Sequence, residues 1–177
     1  MKKFLFLLSS LFYLLSATPR HVEAASEFTT NFDSSYVISR GGEATVTHTI
    51  TLKNNLAHIY ATNYTLAVSG DTLDELITSD ESGPLEHSTS SQNGVTSIHL
   101  KINHPAIGKD QEKKLVVTYA AHDVVETIAS TMTINIPRLA KANEAESYTR
   151  TVKIEGIEDT HQLISPPASL VAPDGAS

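Results

Sequence analysis

The residues of this chain whose types suit chemistry are its eight histidines and its acidic pairs. His99 and His104 flank the end of an alternating segment, and Glu86-His87 and His122-Asp123 are adjacent pairs. None of them has the helical i, i+4 spacing or the alternate-residue spacing along a strand that a preformed metal site uses. A zinc or copper site assembled from separate segments stays open, and the sequence assigns no metal ligand and no cofactor.

Nucleophilic catalysis has little support in the sequence. The chain contains no cysteine, which excludes a thiolate nucleophile, Cys-ligated zinc and disulfides within it. No G-x-S-x-G pattern places a serine on a strand-to-helix turn. We therefore predict that this chain is not itself an enzyme, and we assign no catalytic residue. An enzyme built on loop residues is the weakest hypothesis, and its candidates are His104, Asp110, His122 and Asp123.

The acidic pairs of the chain are Asp74-Glu75, Asp80-Glu81 and Glu158-Asp159. They lie in or beside predicted turns, where carboxylates are ordinarily solvated. A glycosidase needs two carboxylates facing each other across a cleft, usually with aromatic platforms, and this chain has no tryptophan. A calcium ion could draw on Asp71, Asp80 and Glu81, but the D-x-[DN]-x-[DN]-G pattern is absent. A solvated acidic turn is the simpler interpretation.

The first 24 residues are predicted to be a signal peptide. Lys2-Lys3 forms a basic start, and Val22-Glu23-Ala24 suits a signal peptidase. The apolar or small-residue run Phe4–Leu15 is about a dozen residues long, whereas a membrane-spanning helix needs roughly twenty. We expect cleavage after Ala24 and a secreted or cell-surface location. An uncleaved N-terminal anchor is the alternative.

The chain is acidic, with a formal net charge of -7. Removal of residues 1–24 takes away three basic side chains and one acidic side chain, which moves the charge from -7 to -9. An acidic exported chain without a basic stripe is a poor candidate for nucleic acid or anionic lipid. No second apolar run follows the signal, so we expect no nucleic-acid partner and no membrane span after cleavage.

The segment that best indicates the fold is Glu43–Asn54, which alternates apolar and hydroxyl side chains. The residues on its apolar side are Ala44, Val46, His48, Ile50 and Leu52. Because successive side chains of a strand point to opposite faces, this pattern predicts a half-buried strand. We expect it to lie at the centre of a sandwich, with His48 as a packed or hydrogen-bonded core residue.

The other predicted strands are Phe28–Ile38, Ile59–Ser69, Thr72–Ser79, Leu85–Ser91, Val95–Asn103, Lys114–Ala121, Thr131–Ile136 and Ser147–Glu155. Gly41-Gly42 and Asn93-Gly94 are hairpin signals between them. The segment Thr72–Ser79 also suits one helical turn, and Arg138–Glu146 suits a short helix or an ordered loop. We expect Val124–Ser130 to be a connection.

These segments predict an all-β fold, an antiparallel β-sandwich of about eight or nine strands that is immunoglobulin-like in architecture. The sandwich is expected to span residues 25–158 and to be followed by a Pro-rich linker or tail at 159–177. About 150 residues are enough for one hydrophobic core and too few for two. The tryptophan and paired cysteines of antibody domains are absent, so the likeness is architectural only.

Several segments together resemble a recurrent exported module. They are E-F-T-T-N-F-D-S-S-Y-V-I-S, T-V-T-H-T-I-T-L-K-N, Y-A-T-N-Y-T-L, D-E-L-I-T-S-D-E-S-G-P, the G-K…L-V-V-T-Y segment, and M-T-I-N-I-P-R-L followed by S-Y-T-R-T-V-K-I. They are similar to the N-terminal β-sandwich region of predicted transglutaminase-like exported proteins of candidate-phylum bacteria. A fainter likeness is to the lumenal β-domains of ribophorin I. The resemblance covers the chain from about Glu27 to Ile154.

This resemblance implies a non-catalytic scaffold or protein-interaction module of a larger exported protein. Transglutaminase-like catalysis needs a cysteine with histidine and aspartate partners, so no catalytic residue carries over. The resemblance implies that the catalytic part lies beyond Ser177 or has been lost. The expected partner is another protein or an adjacent domain of the same polypeptide, bound at an exposed strand edge. The alternative is a secreted binding module for cell-wall glycan or another surface polymer.

Overall fold

The computed structural model of the chain describes residues 26–69, 73–128, 131–140 and 142–156. The predicted signal peptide, the predicted Pro-rich tail and Asp71 lie outside the described residues. The strands are β1 (Phe28–Ile38), β2 (Ala44–Asn54), β3 (Asn63–Ser69), β4 (Asp74–Asp80), β5 (Gly83–Pro84), β6 (Glu86–Gln92), β7 (Val95–Lys101), β8 (Glu112–Ala121), β9 (Val125–Ile128), β10 (Thr131–Ile134) and β11 (Ser147–Ile154).

These strands form three sheets. The largest has six strands in the order β11-β1-β2-β8-β4-β5, the second has the order β3-β7-β6, and β9 pairs with β10 as a two-stranded ribbon. The described residues include no α-helix, and their one helical segment is a 3₁₀ turn at Ala142–Glu144. The all-β prediction is confirmed. Within the described part of the chain, no helix has the length and hydropathy that crossing a bilayer requires.

The predicted organising strand is β2, which lies between β1 and β8 and is antiparallel to both. Its inward side chains are buried and alternate with exposed or half-buried threonines, because a strand turns successive side chains to opposite faces. The hairpin before it uses Gly42 at a φ of 91°, a left-handed conformation that glycine adopts without strain. The central position of this strand and the hairpin at Gly41-Gly42 are both confirmed.

The six-stranded and three-stranded sheets share one hydrophobic core. Its buried members include Tyr36, Ile50 and Leu115 from the larger sheet and Leu66, Ile98 and Leu100 from the smaller one. Burial of this apolar surface is the main force that holds the two sheets together. The strand β6 is exposed at all seven residues, so the arrangement is sandwich-like but open at that edge.

One pair of strands departs from the predicted antiparallel arrangement. β11 runs parallel to β1, with Tyr36 opposite Val152, so the prediction of a wholly antiparallel sheet is wrong for this pair. Alternation of apolar and polar residues is the same in parallel and antiparallel strands, and it therefore carries no information about direction.

Other boundaries also differ from the sequence predictions. β9 occupies most of Val124–Ser130, so the expectation of a plain connection there is wrong; its four residues are mostly exposed and show no readable alternation. β3 begins at Asn63 rather than Ile59, because the Ile59 carbonyl accepts a hydrogen bond from a buried asparagine side chain instead of a ladder partner. The ambiguous segment before Asp80 is the strand β4. The described residues form eleven strands, so the predicted count of eight or nine is not confirmed.

Candidate functional site

Three polar side chains, one each from β1, β2 and β8, form a row inside the core. The Ser34 hydroxyl oxygen lies 2.7 Å from His48 Nδ1, and the Tyr119 hydroxyl oxygen lies 3.2 Å from His48 Nε2. All three residues are at most 1% exposed. A serine beside a histidine is the first part of a nucleophilic arrangement, but a substrate has no access to this serine and the second ring nitrogen contacts a phenol rather than a carboxylate. The prediction that His48 is a hydrogen-bonded core residue is confirmed.

The electrostatics of this row suit a neutral, structural role. Burial lowers the pKa of His48 to about 4, so its imidazole is uncharged at neutral pH. A neutral imidazole has one donor and one acceptor, and the two hydroxyl groups that contact it can match both. Burial also raises the pKa of Tyr119 above its usual range. The row therefore lets these three polar side chains satisfy one another's hydrogen bonds inside the core.

The four loop residues considered for catalysis lie at opposite ends of the molecule. His104 and Asp110 come before β8, and His122 and Asp123 come after it. β8 is ten residues long, and at about 3.3 Å per residue it separates the two pairs by roughly 30 Å. The fold does not bring these residues together into one site.

His122 is bound by carboxylates on both sides of its ring. Its Nδ1 lies 3.4 Å from a Glu43 carboxylate oxygen, and its Nε2 lies 3.0 Å from a carboxylate oxygen of Asp74. Because the two carboxylates approach opposite ring nitrogens, they do not converge on one point where a metal ion could bind. In the ranges that the structure describes, no group of three or more histidine, aspartate or glutamate side chains is arranged to hold a metal ion.

The remaining candidate histidines make separate local contacts. His99 Nδ1 lies 3.1 Å from the Thr65 hydroxyl, and its Nε2 lies 3.2 Å from the Ser90 hydroxyl. His104 Nδ1 lies 3.1 Å from the Ser82 hydroxyl oxygen. Each ring therefore connects neighbouring strands or loops through hydroxyl groups, as a structural side chain does.

One lysine pairs with both carboxylates of the acidic turn after β4. Lys113 Nζ lies 3.0 Å from Asp80 Oδ2 and 3.1 Å from Glu81 Oε2. The Asp80 side chain is fully buried and that of Lys113 is 10% exposed. Burial by itself raises the pKa of Asp80, but Lys113 and the Ser82 N–H outweigh it, so the pKa of this carboxyl lies below its ordinary value. The prediction of a solvated turn is wrong for Asp80.

The sequence contains a signal for this ion pair that pattern reasoning overlooked. Lys113 is in phase with Leu115 and Val117, the inward side chains of β8. A lysine in phase with core residues needs a carboxylate, because an unpaired buried charge is costly. The nearest one is Asp80, which the β4–β8 pairing places opposite Leu115.

A cavity of about 380 Å³ opens between β1 and β3. Its lining includes Phe28, Phe32, Tyr64, Leu66 and Leu139. Burial raises the pKa of the Tyr64 hydroxyl above its usual range, with a further contribution from a nearby glutamate. The cavity is a gap between the two sheets, and its aromatic and aliphatic walls are interrupted by polar side chains such as Thr30 and Glu144.

β6 forms an edge of the three-stranded sheet with its backbone exposed. The turn Asn93-Gly94 has φ values of 53° and 73° and joins β6 to β7. A two-residue turn makes its flanking residues, Gln92 and Val95, a hydrogen-bonded pair. Hydrogen-bonded and non-hydrogen-bonded pairs then alternate along the antiparallel ladder, and His87 and Thr89 belong to non-hydrogen-bonded pairs. The backbone groups of His87 and Thr89 consequently point away from β7.

The composition of β6 does little to block a further strand. Soluble proteins usually protect such an edge with lysine, proline or a bulge. The one charged side chain of β6 is Glu86 at its start, which lies 2.8 Å from Lys101 Nζ. The His87 side chain contacts the Thr78 hydroxyl at 2.9 Å, so this end of β6 is held against the larger sheet. β6 is thus an ordered strand with backbone groups available for strand addition.

No family model matches the chain, and no curated protein matches it either. Among solved structures, it is similar to the M1 zinc metallopeptidase from Deinococcus radiodurans, with a TM-score of 0.46 and 12% identity over 72% of this chain and 32% of that one. It is also similar to native yeast LTA4 hydrolase, with a TM-score of 0.48 and 11% identity over 76% of this chain and 25% of that one. The chain thus spans a third or less of these two structures, and likeness at this level carries no statement about activity.

Proposed function

We propose that this chain is a non-catalytic, extracytoplasmic β-sandwich module that binds an extended segment of a protein by adding it as a strand to β6. The segment belongs to a protein partner or to an adjacent domain of the same polypeptide. The observation that carries the proposal is that β6, an ordered seven-residue strand, pairs on one side with β7 and is exposed at every residue. The immunoglobulin-like architecture is part of the same proposal.

Strand addition is favourable at this edge for a physical reason. The outward N–H and C=O groups of His87 and Thr89 exchange water for backbone partners when an extended segment pairs with them. The edge is nearly uncharged, so it repels neither acidic nor basic segments. The resemblance to the N-terminal region of transglutaminase-like exported proteins supports a module of this kind, with any catalytic part carried by another domain.

Replacement of Thr89 by proline is expected to weaken peptide binding at β6 by about tenfold or more, because proline removes one outward N–H and its ring obstructs an added strand. The native ladder with β7 is retained, since proline is tolerated where the N–H faces solvent on an edge strand. Peptides that bind residues 25–177 are selected from a displayed random library and serve as the probe. Their affinities for the natural chain and for the variant are measured by fluorescence polarisation.

Thr89→Val, which keeps the N–H, is the matched control and is expected to bind like the natural chain. Bound peptides are also expected to protect the His87 and Thr89 amides from hydrogen exchange. Selected peptides that bind Thr89→Pro and Thr89→Val equally would contradict strand addition at this edge. If the chain binds cell-wall glycan and no displayed peptide binds to it, the surface-polymer alternative would be favoured.

A further inference from the structure

Two loops at one end of the sandwich expose large apolar side chains. The loop 55–62 follows β2, and the loop 103–111 comes before β8. Leu56 is 43% exposed, Tyr60 is 52% exposed and Ile107 is 69% exposed. These three side chains make up most of the large hydrophobic groups that the described residues expose, and we call the two loops together the apolar tip.

One buried amide holds the two loops together. Asn54 is 3% exposed, and its Nδ2 lies 3.1 Å from the Ile59 carbonyl oxygen, 2.7 Å from that of Ala106 and 3.1 Å from that of Gly108. Tyr60 and Ile107 are each adjacent in sequence to a carbonyl that this amide binds. The apolar tip is therefore displayed by a fixed backbone, which reduces the entropy lost when its side chains bind.

The charge of the apolar tip is small. Its one carboxylate, Asp110, lies 3.1 Å from Lys53 Nζ, and its one lysine is Lys109. In a chain with a net charge of -7, this end thus carries no uncompensated carboxylate within the two loops. Its charge neither repels a bilayer strongly nor provides the lysine cluster that recruits anionic lipid.

The size of the tip favours a lipid surface over a stable protein interface. The three exposed side chains offer roughly 300 Å² of surface, which is far below the ~800 Å² that each partner buries in a standard protein interface. Shallow insertion into a bilayer needs few apolar groups, and tyrosine is favoured at the depth of the headgroups. We propose that the apolar tip inserts Leu56, Tyr60 and Ile107 into the headgroup region of a bilayer with neutral lipids. This contact is separate from the strand edge at β6.

The absence of tryptophan from the chain makes the test direct. In residues 25–177, Tyr60→Trp creates a single fluorescent reporter in the tip. With vesicles of phosphatidylcholine and phosphatidylethanolamine, we expect its emission to shift to the blue and the protein to sediment with the vesicles. Ile77→Trp is the matched control, because Ile77 is 65% exposed on β4, outside the tip, and its emission is expected to stay unchanged.

Adding Leu56→Ser and Ile107→Ser to Tyr60→Trp is expected to lower vesicle partitioning by at least about tenfold, as apolar surface is lost. The affinity is expected to change little with salt or with added phosphatidylserine. Equal shifts for Tyr60→Trp and Ile77→Trp, or no vesicle binding, would overturn the proposal. A shift that depends on protein concentration without vesicles would point to self-association through the tip and would overturn it as well.

Discussion

Replacement of Lys113 by methionine is expected to lower the free energy of unfolding by about 2–3 kcal/mol. The change leaves the buried Asp80 carboxylate without the ammonium that compensates it, since Lys113 Nζ lies 3.0 Å from Asp80 Oδ2. Removing one partner of a deeply buried pair costs about 3–5 kcal/mol. The expected value is smaller because the third member, Glu81, is 57% exposed and lies at the rim of the site, where water can reach the cluster. Urea unfolding at neutral pH, followed by circular dichroism, measures the loss.

Two variants separate the buried charge from the loss of side-chain packing. Lys101→Met removes the partner of Glu86 in an exposed pair, whose side chains are 67% and 75% exposed, and should leave the unfolding midpoint nearly unchanged. Asp80→Asn combined with Lys113→Met removes both charges and should recover much of the stability that Lys113→Met loses. If the double variant is no more stable than Lys113→Met, the uncompensated carboxylate is not the cause of the loss.

Acidification from pH 7 to pH 4 is expected to lower the free energy of unfolding by about 3 kcal/mol through His48 alone. The pKa of His48 is about 4 in the folded chain and 6.5 is its ordinary value. Between these two values the unfolded chain binds a proton that the folded chain does not. The contribution of His48 is therefore nearly complete above pH 6.5, declines as the pH falls through 4, and levels off below that.

The groups that contact His48 do not titrate in this window. Its ring faces Ser34, Tyr119 and Tyr36, and burial raises the pKa of both tyrosines. Asp80 and Glu81, whose pKa values are lowered, contribute stability that is lost only as the pH falls below the ordinary carboxylate range. The His48 window thus lies above theirs.

The measurement is urea unfolding at a series of pH values for the natural chain and two variants. His48→Gln is expected to flatten the stability profile between pH 6.5 and pH 4, because the titrating group is gone. Tyr119→Phe is expected to keep the slope, since burial rather than the phenol lowers the pKa of His48. A slope that persists in His48→Gln would assign the pH dependence to another group.

The strands were predictable wherever a single segment contained the full alternation of apolar and polar side chains or a complete turn signal. Ala44–Asn54 alternates over its full length, and Asn93-Gly94 supplies the positive φ values that a two-residue hairpin turn needs. β9 was missed because its four residues are too few and too exposed to show a period. The direction of β11 was missed because alternation does not encode it.

The candidate sites were less predictable than the strands because their members are distant in the sequence. The sequence suggested the adjacent pair His122-Asp123 as a candidate site. In the structure, the carboxylates that contact the His122 ring belong to Glu43 and Asp74 in other segments. Leu56 and Ile107 are in separate loops, and nothing in the sequence groups them. The structure does so, because the Asn54 amide binds carbonyl oxygens of both loops. The phase of Lys113 within β8 is a local signal for its ion pair with Asp80.

The sequence by itself determined which segments are strands, where hairpins turn and which side chains face inward, because these follow from local backbone sterics and from the period of a strand. The tertiary structure alone decided which strands are neighbours and which polar groups meet. His48 and Tyr119 are 71 residues apart, and Tyr36 and Tyr148 are 112 residues apart. Such contacts arise when sheets pair and pack around a common core, and no local pattern specifies a partner at that distance.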